Sequence, residues 1–465
     1  MALSRIWAAF IIVAVTVAAI RIMATDNNVI FTSMVTGRSG DTIRLNTADT
    51  TTLAAAQLRQ LDSTKVLTTG NRQVRRTADG RLQYYQVQNA DGIIETTKTA
   101  VNISIGLIGI MALFMGFMSI AERAGGIRLL SRIIGPFFSR LFPDIPKNHP
   151  SMGHMMMNFS ANLMGLDNAA TPFGIKAMQS LQELNGGSAR ASNAQIMFLC
   201  LHASGLTLIP VSIIAARAAL RAENPTDIFV PCMVATFVAT MAAMIIVSIK
   251  QKINLFQPVI LGWIGGISLL IGLLVQFIVR MNAENVQSFS ALLSNSIILG
   301  IFFLIILGAL YKRIDIFDAF IEGAKGGFET AVRIIPYLVG MLVAISMLRT
   351  SGTFEAIIDA MKGLFAVLGT DTRFVDGLPT ALIKPLSGSG ARGMMIDTMT
   401  TYGVDSFAGR LACVLQGSSD TTFYVIAVYF GAVSVKDTRY SVGAMLLADL
   451  VGIITSILLA YLFFG

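Results

Sequence analysis

Long apolar runs set the terms on which this chain can fold: Ile6–Ile20, Ile103–Ile120, Ile196–Ala216, Ile228–Ile249, Val259–Val279, Ala291–Leu310, Ile334–Leu348, Leu411–Val435 and Ser441–Phe464. Most approach the roughly 20 residues a helix needs to cross a bilayer core. With 54% hydrophobic and only 13% charged residues, the 465-residue chain reads as an all-α polytopic membrane protein. The first run is short and follows Arg5, the layout of a signal peptide. Arg21 directly after it, and the lack of a small-x-small cleavage site, favour a retained transmembrane helix over residues 1–23.

The net charge of +8 would suggest nucleic acid in a soluble protein. In this composition it points instead to Lys and Arg in cytoplasmic loops, and no nucleic-acid partner is expected. Residues 24–98 are polar and threonine-rich, with "RLQYYQVQ" (Arg81–Gln88) alternating at strand period between turn signals. They read as a β-rich extracytoplasmic insert, because Arg5 holds the N-terminus in the cytoplasm and the basic stretch Glu122–Lys147 does the same after the second helix. Within that stretch Ile127, Leu130, Ile134, Phe137 and Leu141 form an apolar stripe, expected to lie in the membrane interface.

Two parts of the chain resemble each other. "TAVNISIGLIGIMALFMGFMS" from Thr99 matches "TAVRIIPYLVGMLVAISMLRT" from Thr330, and a small-residue step and an amphipathic stretch follow each. Each copy then has a polar, helix-breaking segment, "GLDNAATPFGIKAM" from Gly165 and "PLSGSGARGMMIDTM" from Pro385. Next, "LHASGLTLIP" aligns with "LQGSSDTTFY", pairing Ser204 with Ser418 and Thr207 with Thr421. The copies occupy 99–250 and 289–465, with a linker helix in 251–288. Counting the runs from Ile103, Ile196, Ile228, Val259 and Ala291 as crossings makes the number odd, so the second copy is expected to be inverted. On this count Lys250, Lys252, Lys312 and Arg313 fall inside, whereas Arg217, Arg221 and Lys362 fall outside, against the charge rule.

Backbone inside a bilayer must satisfy its own hydrogen bonds, so polar breaks survive only where they line a cavity or pack on protein. Asn168 or Asp167 can cap a half-helix starting near Ala169, with Pro172 in its first turn, and Ser387 and Ser389 can do the same in the second copy. The expected arrangement is two re-entrant helical hairpins whose tips meet, with broken transmembrane helices, "GSSDTT" (Gly417–Thr422) interrupting the run from Leu411 to Val435. Paired breaks in inverted halves point to a substrate site. The candidate substrate-binding residues are Asn168, Thr171, Ser204, Thr207, Ser387, Ser389, Arg392, Gln416, Ser418, Asp420 and Thr421. The bland alternative for each hydroxyl is a bond to a preceding backbone carbonyl. Lys384 and Arg392 can hold an anionic group or pair with Asp167, Asp420 or Asp449. No metal site is expected; Cys200, His202 and Cys413 form only a weak soft-metal alternative, without CxxC, HExxH or an acidic cluster. No P-loop or nucleophile–base pair stands out, so no enzyme activity and no cofactor are expected, with Na⁺ or H⁺ as the candidate coupling ion.

The quoted motifs also carry a resemblance. "FPDIPKNHPSMGHMMMNFSANLMGLDNAATPFGIKAMQSLQELN" (Phe142–Asn185) resembles the spore maturation protein A family. "PLSGSGARGMMIDTMTTYGVDSFAGRLACVLQGSSDTTFYVIAVYFGAV" (Pro385–Val433) resembles spore maturation protein B. The chain thus looks like the two fused. Both families carry the nucleoside-recognition or gate domain, also found in concentrative nucleoside transporters and bacterial ferrous iron transporters. The resemblance implies a transporter-like fold and a multi-pass protein of the bacterial inner membrane. The leading expectation is a secondary transporter or translocator of a small anionic or nucleoside-like solute by alternating access. Its rivals are a membrane scaffold for envelope or cell-wall assembly and a lipid flippase or metal-ion permease. Expected partners are the bilayer and a small solute, with a homo-oligomer and envelope or cell-wall proteins reached through 24–98 as further candidates.

Overall fold

The computed structural model describes residues 2–25, 29–37, 42–48, 66–69, 72–76, 82–87, 92–146, 149–163, 167–207, 209–281 and 283–465. Eight helical segments among them are long and apolar enough to cross a membrane, one of them, Phe407–Ala432, interrupted midway. The protein is a multi-pass membrane protein. The chain divides into two compact units, one of Met1–Ile105, Arg333–Pro379 and Arg392–Ala412, the other of Gly106–Val332, Thr380–Ala391 and Cys413–Gly465.

The elements run α1 (Ala2–Thr25), α2 (Val29–Thr36), β1 (Thr42–Ala48), β2 (Val66–Thr69), β3 (Arg72–Arg76), β4 (Leu82–Val87), α3 (Ile93–Arg123), α4 (Gly126–Leu141), α5 (Pro150–Leu163), α6 (Asp167–Leu184), α7 (Asn193–Ala203), α8 (Val211–Ala219) and α9 (Phe229–Gln251). Then follow α10 (Pro258–Val279), α11 (Ala283–Lys312), α12 (Ile316–Thr350), α13 (Thr353–Val367), a short 3₁₀ turn, α14 (Leu378–Ile383), α15 (Gly388–Tyr402), α16 (Phe407–Gly417), α17 (Thr422–Ala432) and α18 (Ser441–Phe464).

This order repeats. A long helix (α3, α12) ends at a glycine in the left-handed region, Gly125 at φ 88 and Gly352 at φ 76, where any side chain would strain the backbone. An amphipathic helix (α4, α13) follows each glycine. After it come a helical pair (α5–α6, α14–α15), two half-helices split by a break (α7–α8, α16–α17) and a closing span (α9, α18).

In the first unit, α1 is fastened to α12. Trp7 Nε1 donates to Gly340 O at 2.8 Å, and Arg21 Nη1 to Ser351 O at 2.7 Å, beside Gly352. Arg349 is buried near the end of α12; its Nε donates to both Asp397 carboxylate oxygens at 3.1 Å, and the guanidinium lies 4.2 Å over the Phe354 ring. Such a forked contact is the geometry in which arginine tolerates burial. The polar insert carries a four-stranded antiparallel sheet in the order β1-β4-β3-β2, with the aromatic-rich Leu82–Val87 as an inner strand.

In the second unit, α4 does not keep its apolar stripe for lipid alone. Ile127 and Leu141 are buried, Ile134 and Phe137 pack on the main apolar core, and Ser131 bonds Ser160 of α5 at 3.1 Å. Equivalent helices of the two copies also pack on each other. Gly327 of α12 sits so close to α3 that an added Cβ would lie 2.6 Å from Met111 O, while Gly116 meets Phe320. Rising numbers on one helix meet falling numbers on the other, so the pair is antiparallel. The same holds for α9 and α18, where Ala239 faces Gly452 and Gln251 Nε2 donates to Tyr440 Oη at 2.8 Å. Helices α10 and α11 bare Leu269, Leu270, Leu273, Phe303 and Leu304, the apolar surface that lipid tails cover.

The run Ile196–Ala216 is broken where the repeat pairs it with Gly417–Thr422: α7 stops at Ala203 and α8 starts at Val211, with Gly205 at φ 62 and Pro210 in the gap. One expectation is corrected here. Arg217 is not a loop charge. It is wholly buried, with Nη2 2.9 Å from Oδ1 of the equally buried Asp227, so it drops out of the orientation argument.

Candidate functional site

Four half-helix ends meet where α7–α8 and α16–α17 are interrupted, and each end leaves backbone groups without intrahelical partners. The two breaks supply them to each other. Asp420 N–H donates to Ala203 O, the last residue of α7, at 2.7 Å. Phe423 N–H, in the first turn of α17, donates to Pro385 O between α14 and α15 at 3.0 Å. Two glycines permit this approach: a Cβ on Gly205 would lie 3.2 Å from Asp420 N, and one on Gly388 would lie 2.7 Å from Thr421 Oγ1.

His202 stands at this crossing, in the last turn of α7. Its Nδ1 lies 3.0 Å from Asn158 Oδ1 and 2.8 Å from Asn162 Nδ2, both on α5. Asn158 is fixed in turn by donating Nδ2 to Ala170 O of α6 at 2.7 Å. The imidazole meets the Tyr429 ring edge-on at 4.8 Å, and its Nε2 is 3.9 Å from Asp420 Oδ2. The His202 side chain is 5% exposed, whereas that of Asp420 is 46% exposed. The pair therefore runs from a half-exposed carboxylate to a buried ring. Asp420 Oδ1 accepts from Thr421 N–H at 2.7 Å. Just beyond, Thr422 Oγ1 donates to Asp449 Oδ2 at 2.6 Å; Asp449 is buried on α18, and the charge of the buried Lys384 bears on it.

Most residues singled out from the sequence come to this place. Asp420 and the buried Thr421 are at the crossing itself. Ser204, Thr207 and Ser418 line the breaks, but each hydroxyl donates to a nearby carbonyl of its own chain segment: Leu201 O at 2.7 Å, Gly205 O at 2.9 Å and Leu415 O at 2.9 Å. Ser387 caps α15 by accepting from Gly390 N–H at 3.0 Å, with Ser389 Oγ 3.3 Å away. Gln416 is buried with its Oε1 unpaired among the described residues, and Thr171 is half-buried on α6 beside Tyr429. Helix α6 begins at Asp167, two residues before the expected Ala169, so Pro172 falls in its second turn; the side chains of Asp167 and Asn168 lie outside the described residues. Arg392 belongs to the other unit and is half-buried.

The cysteine alternative finds no support in geometry. Cys200 Sγ contacts Ser441 O at 3.9 Å, Cys232 Sγ contacts Cys413 O at 3.9 Å, and among the described residues no group of three or more His, Cys, Asp or Glu could hold a metal. Sequence reasoning passed over Asn158, Asn162 and Tyr429, and gave Asp449 only as a partner for a cation. A carboxylate within the closing apolar run was a readable signal, since charge at that depth needs a reason.

The family described as "Gate: Nucleoside recognition" matches residues 104–220 and again residues 331–436. Spore maturation protein B of Bacillus subtilis (strain 168) is 48% identical over 161 residues, covering 35% of this chain and 89% of that protein. Spore maturation protein A of the same organism is 44% identical over 156 residues, covering 34% of this chain and 80% of that protein. The chain belongs to the Gate family. It contains two Gate copies and is similar to both spore maturation proteins, as a fusion of the two would be. The first Gate match ends at α8 and the second just beyond α17, so the packed spans α9 and α18 extend the repeat past the Gate domain. No solved structure matches the chain.

Proposed function

We propose that this Gate protein is a secondary transporter of the bacterial inner membrane, moving a small polar solute by alternating access around the crossed breaks. The observation that carries this reading is the bond from Asp420 N–H to Ala203 O, because it joins the interrupted helices of both copies within a residue of the matched pair Ser204 and Ser418. Inverted repeats are supported by the antiparallel packing of α3 on α12 and of α9 on α18: elements related by a two-fold axis in the membrane plane meet in opposite directions. The N-terminus is cytoplasmic in this scheme, and residues 24–98 face outward.

The solute meets Asp420, Thr421, Gln416 and the cap of α15 at Ser387 and Ser389. The half-exposed charge at the crossing is a carboxylate, which favours a neutral, donor-bearing solute such as a nucleoside over an anion. Na⁺ or H⁺ is the coupling ion. Purified protein in liposomes, given a panel of radiolabelled nucleosides, tests the reading. Flux above that of empty liposomes is expected, with Asp420→Asn abolishing it while remaining monodisperse and folded. Flux at the empty-liposome level across the panel would reject the nucleoside assignment. Wild-type flux in the Asp420→Asn protein would reject the site.

A further inference from the structure

We infer that the coupling ion is a proton and that it is carried by His202 and Asp420 together, one proton site per chain. This rests on the transporter reading above and specifies it.

The geometry separates a proton from a hard cation. Na⁺ seeks several convergent oxygens, yet Oδ2 of Asp420 lies 3.9 Å from a ring nitrogen, His202 Nε2. The hydroxyls of Ser204, Thr207 and Ser418 are aimed at their own chain's carbonyls. A half-exposed carboxylate with an imidazole sealed behind it can take up a proton and hold it on a buried group.

Asp420 bears on His202 and also on Asp449 and Tyr429, so the pair sits within a wider set of polar groups. Helix α5 presents the amides of Asn158 and Asn162, and its His154 is turned to Ser180 at 3.1 Å. Helix α6 presents Thr171 and α17 the phenol of Tyr429. Helix α18 carries Asp449, which is bonded by Thr422 and lies within the field of Lys384 from the α14–α15 connection; α9 carries the buried thiol of Cys232, and Lys250 in its last turn.

The repeat fixes the number. Pairing Ser204 with Ser418 and Thr207 with Thr421 puts Gln416 opposite His202, and Leu206 opposite Asp420. A symmetric site would hold a second pair at Gln416 and Leu206, and neither of those can titrate. The histidine comes from one copy and the aspartate from the other, so a single pair forms across the crossing.

The test reads conformation and needs no solute. Thr207→Cys, in the first break, is labelled with a membrane-impermeant thiosulfonate in right-side-out and inverted vesicles, at pH 5.5 and 8.0, with and without Na⁺. The three native cysteines are buried, and the unsubstituted protein gives their background. A several-fold change in the ratio of labelling from the two sides between the two pH values is expected, with no effect of Na⁺. Asp420→Asn and His202→Gln should each remove that change while leaving the cysteine labelled. His202→Gln installs the residue already present at the matched position, so it tests charge with little change in shape; size-exclusion profiles confirm that each variant is folded. A ratio that follows Na⁺ at fixed pH, or a pH response that survives both substitutions, would overturn the proton assignment and leave the transporter intact. Labelling from one side only, under every condition and in every variant, would overturn the transporter reading itself.

Discussion

Replacing Asp227 by asparagine should be among the most damaging single changes outside the crossed breaks. The Arg217–Asp227 pair is wholly buried, with side chains 0% and 1% exposed and 2.9 Å between Nη2 and Oδ1, and Arg217 also donates to Asn224 O at 3.2 Å. Removing one partner of such a pair leaves the other charge desolvated, which costs about 3–5 kcal/mol. The pair Arg190–Asp437 is a built-in control: its 3.2 Å separation is comparable, but its side chains are 71% and 56% exposed, so Asp437→Asn should cost below about 1 kcal/mol. Unfolding in mixed micelles, followed by helical circular dichroism against SDS mole fraction, measures both variants on one scale. The double substitution Arg217→Met with Asp227→Leu should recover most of the loss, because it removes both charges at once. If Asp227→Asn unfolded at the same midpoint as Asp437→Asn, the burial of this pair would be of no energetic consequence and the reasoning would fail.

Other outcomes follow from close approaches and charge. Gly388→Val places a branched side chain where even a Cβ would be 2.7 Å from Thr421 Oγ1; it should lower solute flux sharply and cost about 1–3 kcal/mol by overpacking, read by transport and unfolding on the same preparation. Gly452→Leu should wedge α18 off α9, since a Cβ already falls 3.2 Å from Ala239 Cβ, and overpacking of this kind costs about 1–3 kcal/mol. A cysteine placed in residues 49–65 should react with an impermeant label in intact cells and not in inverted vesicles; the reverse pattern would turn every loop assignment over.

Much of this arrangement is legible in the sequence, and the reasons differ by element. Hydropathy finds the spans because a bilayer admits few solutions, and it finds the break at Gly417–Thr422 because serine, aspartate and threonine interrupt an apolar run. The break at Ser204–Pro210 is harder to see, since Leu206, Leu208 and Ile209 keep hydropathy high while Gly205 and Pro210 end the helix. Arg217 entered the charge count for a related cause: counting charges cannot distinguish a cation in water from one buried against Asp227, ten residues on. Asn158 was hidden in the methionine run Met152–Phe159. Its role depends on the partner hairpin arm, which brings Ala170 O within reach, and on α7, which brings His202; no local pattern encodes either meeting.

The pair of lipid-facing helices α10 and α11 has a meaning beyond filling space between the copies. Helices α9 and α18, which belong to different copies, hide Ala243, Met244, Val247, Ala444, Met445 and Ala448 in one apolar cluster. Two halves made as separate chains would have to find each other in the bilayer, with loss of translational and rotational freedom. Tethered through α10 and α11, they meet at an effective concentration set by the connection, on the order of millimolar for a short one. The tether also fixes their ratio at one to one, so neither half is left with this surface bare while it waits for the other to be synthesised.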